Sequence, residues 1–167
     1  MDNDIIEKAK RIKLLVLDVD GVLTEGSIIY DCKGRELKIF NVKDGLGIFF
    51  LAQAGIDSAI LTAKYSKVIR RRAKDMRIKD IFWGYPKEGV FKKILDKYKL
   101  DYQDICFIGD DLIDIEVAKK VGLSVAVQDA SDGLKKVVHL VTRNRGGRGA
   151  VREVVELIMK SKGLWKW

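Results

Sequence analysis

Short apolar runs alternate with helical patterns along this chain, and the alternation limits the folds that are open to it. Each run has the length of a strand that is buried on both faces. Between the runs, segments 91–98 and 151–158 carry apolar residues at i, i+3, i+4 and i+7, which is typical of helices with one apolar stripe. The order predicts an α/β fold, a Rossmann-like three-layer sandwich with a central parallel sheet. The predicted strands span residues 14–17, 59–61, 105–108, 124–127 and 139–141.

One segment breaks this alternation. Two β-prone runs, 27–31 and 35–40, flank a Lys-Gly pair, which predicts a small β-hairpin over about residues 26–41. The hairpin would project between the first strand and the helix near residues 45–53, either as a flap or as an oligomer surface.

The 167 residues are about the length of one ordinary domain. Hydrophobic residues make up 47% of the chain and charged residues 34%, which excludes a disordered or a membrane-embedded protein. No internal repeat, low-complexity tract or linker interrupts the sequence. We therefore expect a single domain over residues 1–167, with a C-terminal tail over about 143–167.

The first residues are charged and lack the apolar stretch of a signal peptide, and no later run is long enough to span a bilayer. Cys32 and Cys106 form no CxxC pair, so neither a disulfide framework nor a zinc site is indicated. We expect a cytoplasmic protein that has no membrane partner.

The formal net charge of +8 points to an anionic partner, either a nucleic acid or a phosphorylated metabolite. Most basic residues are interleaved with acidic ones, and the aromatic residues lie mainly in apolar runs, which argues against nucleic acid. A non-catalytic basic binding module stays open as a rival. The single histidine, His139, lies in an apolar run, where a structural position is favoured over catalysis.

Two carboxylates follow the first predicted strand in the segment DVDGVLT. Because side chains alternate along a strand, Asp18 and Asp20 should point to the same side, and Gly21 allows a sharp turn after them. Like charges this close repel each other unless a cation or a shared proton relieves them. The pair therefore indicates a metal ion or proton transfer, although a lone DxD is as often a turn or a helix cap.

A second acidic group, Asp110, Asp111 and Asp114, follows the predicted strand 105–108. If this strand is a neighbour of the first, both groups meet at the carboxyl edge of the sheet, where hard oxygen ligands suit Mg²⁺. Alone, this group would equally mark a helix N-terminus. Its occurrence at a matching strand end favours the metal site.

Thr62 and Lys87 complete the candidate site. Thr62 follows the strand 59–61 at the same edge, where its hydroxyl would donate a hydrogen bond to a phosphate oxygen. Lys87 begins a helix, where its ammonium group would balance the carboxylates and hold phosphate. Taken singly, an N-cap threonine and a surface lysine are the simpler interpretations.

In this order, the four segments resemble the four motifs of the haloacid dehalogenase phosphohydrolases. FNVKDGLG at 40–47 and TRNRGGRGAVRE at 142–153 are further similar to the family of 3-deoxy-D-manno-octulosonate 8-phosphate phosphatases and their relatives that act on nonulosonate 9-phosphates. The resemblance covers about residues 13–158. It implies a core fold with the hairpin in place of a cap domain, assembled into a homotetramer through that hairpin.

The resemblance also implies the role of each candidate residue. Asp18 would attack phosphorus and carry the phosphoryl group, while Asp20 would protonate the leaving alcohol and then activate water. Thr62 and Lys87 would hold the phosphoryl group. Mg²⁺ would be bound by Asp18, the main-chain carbonyl of Asp20 and Asp110, with Asp111 and Asp114 in support.

Three basic residues are candidates for substrate contacts. Octulosonate relatives tend to carry a basic residue where nonulosonate relatives carry Glu, and Lys64 resembles the former group. Arg72 matches a family arginine that is suited to a sugar-acid carboxylate, although residues 70–72 could equally form an exposed helix face. Arg148 would be supplied by a neighbouring subunit. Ala63 departs from the family pattern, which has Gly there.

The implied function is Mg²⁺-dependent hydrolysis of 3-deoxy-D-manno-octulosonate 8-phosphate to the free sugar acid and phosphate, in lipopolysaccharide precursor biosynthesis. A nonulosonate 9-phosphate, another small phosphorylated sugar or a nucleotide is the alternative substrate. An accessory role beside a cytidylyltransferase is a further alternative, although no second active site stands in the sequence.

Overall fold

The computed structural model describes residues 2–166. Within this range there are seven α-helices and eight β-strands. The helices are α1 (Asn3–Arg11), α2 (Val42–Gln53), α3 (Lys67–Asp75), α4 (Lys87–Tyr98), α5 (Ile115–Ala118), α6 (Asp132–Lys135) and α7 (Ala150–Ser161). The strands are β1 (Leu14–Leu17), β2 (Ile29–Tyr30), β3 (Glu36–Leu37), β4 (Asp57–Thr62), β5 (Asp80–Trp83), β6 (Ile105–Gly109), β7 (Leu123–Ala126) and β8 (Leu140–Val141).

Six strands form one parallel sheet in the order β5-β4-β1-β6-β7-β8. The predicted α/β fold is thereby confirmed. Strand β1 lies in the middle, paired with β4 on one side and β6 on the other, and all four of its residues are buried. Residues that follow these three strands therefore meet at one edge of the sheet.

The strand pattern differs from the sequence prediction at one edge of the sheet. Strand β5, over Asp80–Trp83, was not predicted, although it contains the short apolar run 81–83; it is an edge strand that is only partly buried. The predicted strands are all present, and their ends agree with the prediction to within two residues.

Helices cover both faces of the sheet. Helices α1, α2 and α7 pack together, while α4 packs on β4, β5 and α5. Right-handed crossovers place α2 and α4 on opposite faces, because the chain reverses its direction across the sheet after β5. In α7, the predicted apolar stripe of Val151, Val154, Val155 and Ile158 is fully buried.

Helix α7 receives its cap from another helix. Its N-cap residue is Gly149, which offers no side chain. Instead, the buried carboxylate of Asp44 in α2 accepts hydrogen bonds from the backbone N–H groups of Gly149 (3.2 Å) and Arg152 (2.8 Å). Two of the free N–H groups at the start of α7 are satisfied in this way, and α2 and α7 are joined.

The predicted hairpin is present as a separate two-stranded sheet. Strands β2 and β3 are antiparallel, with Ile29 opposite Leu37 and Tyr30 opposite Glu36. The carboxylate of Asp31 accepts hydrogen bonds from backbone N–H groups across the turn. Large apolar side chains are exposed along this segment and directly after it, at Ile28, Tyr30, Leu37, Ile39 and Val42.

Smaller sequence predictions can also be checked against the described residues. Cys106 is buried in β6 and Cys32 is exposed on the hairpin, so the two do not form a disulfide. His139 accepts a hydrogen bond at Nδ1 from the backbone N–H of Ser124, which agrees with a structural position. None of the helices in residues 2–166 has the length and apolarity needed to cross a bilayer. Trp167 lies outside the described residues.

We predict that Asp44→Ala lowers the free energy of unfolding by about 2 kcal/mol, because it removes a buried cap and leaves two N–H groups without acceptors. Urea unfolding followed by circular dichroism measures the change. The control is Asp75→Ala, which removes an exposed ion pair with Arg71 and is expected to cost less than about 0.5 kcal/mol. Equal midpoints for Asp44→Ala and the unaltered protein would contradict the capping role.

Candidate active site

Asp18 stands at the centre of the carboxyl edge, directly after β1. Its backbone N–H donates to the carbonyl of Ile108 at 3.0 Å, so the pairing of β1 with β6 continues up to this residue. The side chain is buried. One carboxylate oxygen, Oδ1, accepts a hydrogen bond from the N–H of Val19 (2.7 Å), and Oδ2 lies 2.5 Å from Nζ of Lys87.

Asp114 organises the turn that follows β6. Its Oδ2 accepts hydrogen bonds from the backbone N–H groups of Asp110 (2.9 Å) and Asp111 (3.3 Å), and its Oδ1 accepts from Nζ of Lys87 (2.7 Å). The residue is completely buried. Asp111 is exposed at the rim, where its carboxylate accepts from the N–H of Leu112 as the cap of a short 3-10 turn. Asp114 thus fixes the backbone that presents Asp110.

Lys87 is the first residue of α4, and its side chain is fully buried. Burial alone would lower the pKa of its ammonium group, but the carboxylates of Asp18 and Asp114 raise it above its ordinary value. The residue therefore remains charged, and it links the end of β1 to the turn after β6. Lys87 is therefore not a surface lysine, which was the simpler interpretation from the sequence alone.

The three carboxylates of Asp18, Asp110 and Asp114 converge, each offering an oxygen within 4.8 Å of the others. Burial raises the pKa of Asp18 to about 6, despite the opposing charge of Lys87. Burial, followed by the charges of Asp18 and Asp114, raises the pKa of Asp110 to about 8. One ammonium group does not balance three ionised carboxylates, so the donor set fits a hard divalent cation such as Mg²⁺.

Gly21 lets the loop that carries Asp20 approach this cluster. Its φ is +84°, and a Cβ atom on it would lie 1.9 Å from Oδ2 of Asp110. A residue with a side chain would therefore be strained in the backbone and would collide with Asp110. This explains in physical terms why glycine follows the second aspartate.

Thr62 ends β4 at the same edge and is buried. Its hydroxyl donates to the carbonyl of Lys64 at 3.2 Å, so it also shapes the loop that follows. Lys64 is exposed in that loop. Ala63 does not take a positive φ, since the non-glycine residues with positive φ in residues 2–166 are Arg77 and Lys99. The loop therefore accommodates alanine without backbone strain.

Asp20 is partly exposed and is bound by a residue that the sequence did not reveal. Nζ of Lys38 lies 2.5 Å from Oδ1 of Asp20 and 3.2 Å from Oε1 of Glu36. Burial lowers the pKa of Lys38, but its bonds to Asp20 and Glu36 outweigh this and raise the pKa. Strand alternation is the sequence signal that could have indicated the pairing of Lys38 with Glu36, because residues two apart share one side of the hairpin.

The two segments that suggested a narrower family contact each other and the loop of Asp20. Asn41 donates from Nδ2 to the carbonyl of Gly147 (3.3 Å), and the N–H of Gly147 donates to the carbonyl of Val22 (2.9 Å). A Cβ atom on Gly146 would lie 1.7 Å from the carbonyl oxygen of Gly21. The segment 146–147 therefore packs closely on the loop that follows Asp18.

In the described part of the chain, neither Arg148 nor Arg72 forms a hydrogen bond or ion pair with the carboxylates of Asp18, Asp110 and Asp114. Arg148 is exposed, and its Nη2 lies 2.9 Å from Oε1 of Glu25 in the same chain. Arg72 is half-buried, donates from Nη2 to the carbonyl of Asn41 (2.9 Å) and lies 5.4 Å from the ring centre of Phe40. The alternative that Arg72 forms part of an exposed helix face is wrong for this residue.

Comparisons with known proteins agree with this geometry. A family model described as haloacid dehalogenase-like hydrolase matches residues 61–154. The 3-deoxy-D-manno-octulosonate 8-phosphate phosphatase of Escherichia coli (strain K12) is 44% identical over 161 residues, which are 96% of this chain and 86% of the relative. This chain belongs to the 3-deoxy-D-manno-octulosonate 8-phosphate phosphatase family of haloacid dehalogenase-like hydrolases.

Solved structures of this family superpose closely on the chain. A crystal structure of the Yersinia pestis phosphatase has a TM-score of 0.96 at 42% identity, covering 98% of this chain and 89% of that one. The phosphatase from Moraxella catarrhalis, solved in complex with a magnesium ion, a phosphate ion and a KDO molecule, has a TM-score of 0.94 at 40% identity. That match covers 98% of this chain and 94% of the other.

For this member of the hydrolase family, we predict that the metal-free protein loses stability as the pH rises from 5 to 8. The folded pKa values of Asp18 and Asp110 lie above the ordinary value of 3.8, so the folded state holds more protons than the unfolded state in this range. Unfolding by urea in the presence of EDTA measures the effect.

Two further measurements make this prediction specific. Asp110→Asn should remove the part of the pH dependence between pH 6 and 8, because the amide does not titrate. Added Mg²⁺ should raise the unfolding midpoint more at pH 8 than at pH 5, since its carboxylate ligands must be deprotonated. A midpoint that is independent of pH in EDTA would contradict the raised pKa values of Asp18 and Asp110.

Proposed function

We propose that this protein is a Mg²⁺-dependent phosphatase that hydrolyses 3-deoxy-D-manno-octulosonate 8-phosphate to the free sugar acid and phosphate, in lipopolysaccharide precursor biosynthesis. The observation that carries the proposal is the buried contact of Lys87 with Asp18 and Asp114 beside Asp110, in a chain of this family. The Moraxella catarrhalis relative solved with magnesium, phosphate and KDO supports the choice of metal and of substrate class.

In the first step, the Asp18 carboxylate attacks phosphorus and forms an aspartyl phosphate, while Asp20 gives a proton to the leaving sugar hydroxyl. In the second step, Asp20 takes a proton from a water molecule, which attacks the aspartyl phosphate and releases phosphate from Asp18. The position of Asp18 supports this role, because burial and the contacts with Val19 and Lys87 fix its carboxylate.

The metal ligands in this proposal are Asp18, the main-chain carbonyl of Asp20 and Asp110. When bound there, Mg²⁺ offsets the repulsion between the carboxylates and the phosphate dianion. Asp114 supports the site by holding the N–H groups of Asp110 and Asp111, and Asp111 adds a further negative charge at the rim.

Thr62 and Lys87 hold the transferring phosphoryl group. The hydroxyl of Thr62 is at the carboxyl edge and would turn from the carbonyl of Lys64 towards a phosphate oxygen. Lys87 supplies a permanent positive charge against the charge that develops on the phosphoryl oxygens. Because Asp18 and Asp114 already orient its ammonium group, little reorganisation is needed during the reaction.

The sugar acid is recognised by Lys64, Arg72 and Arg148. Lys64 and Arg148 are exposed, as a contact with a ligand requires. The buried Nε of Arg72 has no hydrogen-bond partner among residues 2–166, which supports a further acceptor such as a carboxylate. Arg148 would exchange its contact with Glu25 for the substrate of its own or of a neighbouring subunit.

We further propose that residues 1–167 act as a single cytoplasmic domain that assembles into a homotetramer. Exposed apolar side chains of the hairpin and of the adjoining first residue of α2 support this assembly, because Ile28, Ile39 and Val42 are each more than half exposed (69%, 67% and 78%) in the single chain. Contact between hairpins of different copies would bury them.

We predict that Asp18→Asn gives a folded protein without measurable phosphate release, because the amide cannot form an aspartyl phosphate. Asp20→Asn should slow both chemical steps, by about 10²-fold or more. Phosphate release and circular dichroism measured on the same preparations separate catalysis from folding. Retained turnover in a homogeneous Asp18→Asn preparation would exclude the covalent mechanism.

The substrate is tested by measuring phosphate release from 3-deoxy-D-manno-octulosonate 8-phosphate and a nonulosonate 9-phosphate side by side, with Mg²⁺ and with EDTA. We expect a higher kcat/KM for the octulosonate and no activity in EDTA. A preference for the nonulosonate, or for another phosphorylated sugar or a nucleotide, would contradict the assigned substrate while retaining the phosphatase. Tight, salt-sensitive binding of nucleic acid without phosphatase activity would favour the rival binding module.

The tetramer is tested by Ile39→Asp, which places a charge on the exposed apolar surface of the hairpin. Light scattering after gel filtration should show a tetramer for the unaltered protein and smaller species for the variant. Lys33→Asp at the hairpin turn is the matched control and should leave the mass unchanged. An unaltered protein that is a monomer at micromolar concentration would rule out this assembly.

A further inference from the structure

The hairpin turns one charged face towards the active site and an apolar face outward. Leu37 and Ile39 are 49% and 67% exposed, whereas the side chain of Lys38 between them is only 3% exposed. Strand alternation produces this contrast, because adjacent residues point to opposite sides. A long cationic side chain is therefore buried on a segment that otherwise lies at the surface.

The ammonium group of Lys38 is held from two sides. It lies 3.2 Å from Oε1 of Glu36 on the hairpin and 2.5 Å from Oδ1 of Asp20 in the loop after β1. Burying a lysine costs side-chain entropy and hydration, and two hydrogen-bonded carboxylates offset this cost. Glu36 fixes the ammonium group relative to the hairpin, so the hairpin determines where it meets Asp20.

The carboxylate of Asp20 has fewer hydrogen-bond donors in residues 2–166 than the carboxylates of Asp18 and Asp114. The carboxylate of Asp18 is bound by a backbone N–H and by Lys87, and that of Asp114 has three donors. In the described part of the chain, from residue 2 to residue 166, Lys38 is the only group that donates a hydrogen bond to the carboxylate of Asp20. The Asp20 side chain is also 45% exposed, so packing does not hold it in one rotamer.

We propose that Lys38 is a positioning residue that holds the Asp20 carboxyl group in the orientation needed for proton transfer. The inference rests on the role of Asp20 in the proposed function. Lys38 binds Oδ1, which leaves Oδ2 to carry the proton. As the ester P–O bond breaks, the Oδ2–H bond breaks and the leaving sugar oxygen gains the proton; Oδ2 then accepts a proton from the attacking water.

This assignment makes the hairpin a part of the catalytic apparatus. The same segment of the hairpin, residues 36–39, exposes Leu37 and Ile39 at the surface and presents Lys38 to Asp20. If Lys38 positions Asp20, the effect of replacing it on the rate of the first step should depend on the leaving group. Only a poor leaving group requires a proton from Asp20 in that step. A purely structural role would give no such dependence.

The test compares Lys38→Met, which keeps the aliphatic stem, with Lys38→Arg, which keeps a donor. With the sugar phosphate, Lys38→Met should lower kcat by about tenfold or more while KM changes less than about threefold. With p-nitrophenyl phosphate, the pre-steady-state burst of nitrophenolate should keep its rate, because this leaving group needs no proton. The later steady-state rate should fall, because Asp20 must still activate water.

Two controls separate this role from loss of structure. Lys33→Met removes a lysine from the same hairpin away from Asp20 and should change neither phase. Lys38→Arg should recover at least half of the loss in kcat on a logarithmic scale. In an Asp20→Asn background, adding Lys38→Met should lower kcat little further, since the carboxyl group that Lys38 positions is already absent.

The proposal is overturned if Lys38→Met slows the burst and the steady state by the same factor, or if its cost is undiminished in the Asp20→Asn background. A rise in KM of tenfold or more at unchanged kcat would also overturn it, because Lys38 would then contact the substrate. Failure of the proposed function is distinct: the unaltered protein would release no phosphate, or Asp20→Asn alone would keep full turnover.

Discussion

The ammonium group of Lys87 lies between two buried carboxylates, and the site depends on this contact. Asp18 follows β1, a central strand of the sheet, and Asp114 lies in the turn after the neighbouring strand β6. Lys87 is the first residue of helix α4, in a third part of the chain. Removing such charges from water costs several kcal/mol per ion and is offset only where the geometry is close to ideal. The fold meets this condition because parallel strands end at one edge. The excess negative charge that remains at Asp110 is what a divalent cation would compensate.

Much of this arrangement could be predicted from the sequence, since it depends on local rules applied at strand ends. Buried strands have continuous apolar runs, and the polar residue after each run is then at the carboxyl edge; Asp18, Thr62 and Asp110 all follow this rule. Strand β5 was missed although residues 81–83 form a short apolar run, because a partly buried edge strand gives a weaker signal than a strand buried on both faces. Lys38 and Asp44 were missed for a different reason. Each acts through a partner far away in the sequence, and which residue a lysine or an aspartate meets depends on how the hairpin and the helices fold back.

The two segments that distinguish the narrower family have a structural explanation. Asn41 and Asp44 bind the backbone around Gly147 and the start of α7, so one segment anchors the other. Through Gly147, whose N–H donates to the carbonyl of Val22, they contact the loop that carries Asp20. These contacts hold in place the loop that follows Asp18. The same contacts place Arg148 beside Glu25 at the rim of the site.

Gly146 approaches the backbone of Gly21 so closely that no side chain fits between the two segments. These positions are separated by most of the chain, and the sheet is formed from residues that lie between them in sequence. During synthesis on a ribosome, the strands from β1 to β8 are therefore all available before the segment that completes the wall of the site. We expect that a nascent chain ending before residue 146 contains every strand of the sheet but leaves the loop of Asp20 unsupported. The wall beside this loop would then form only after residues 146 and 147 have been added.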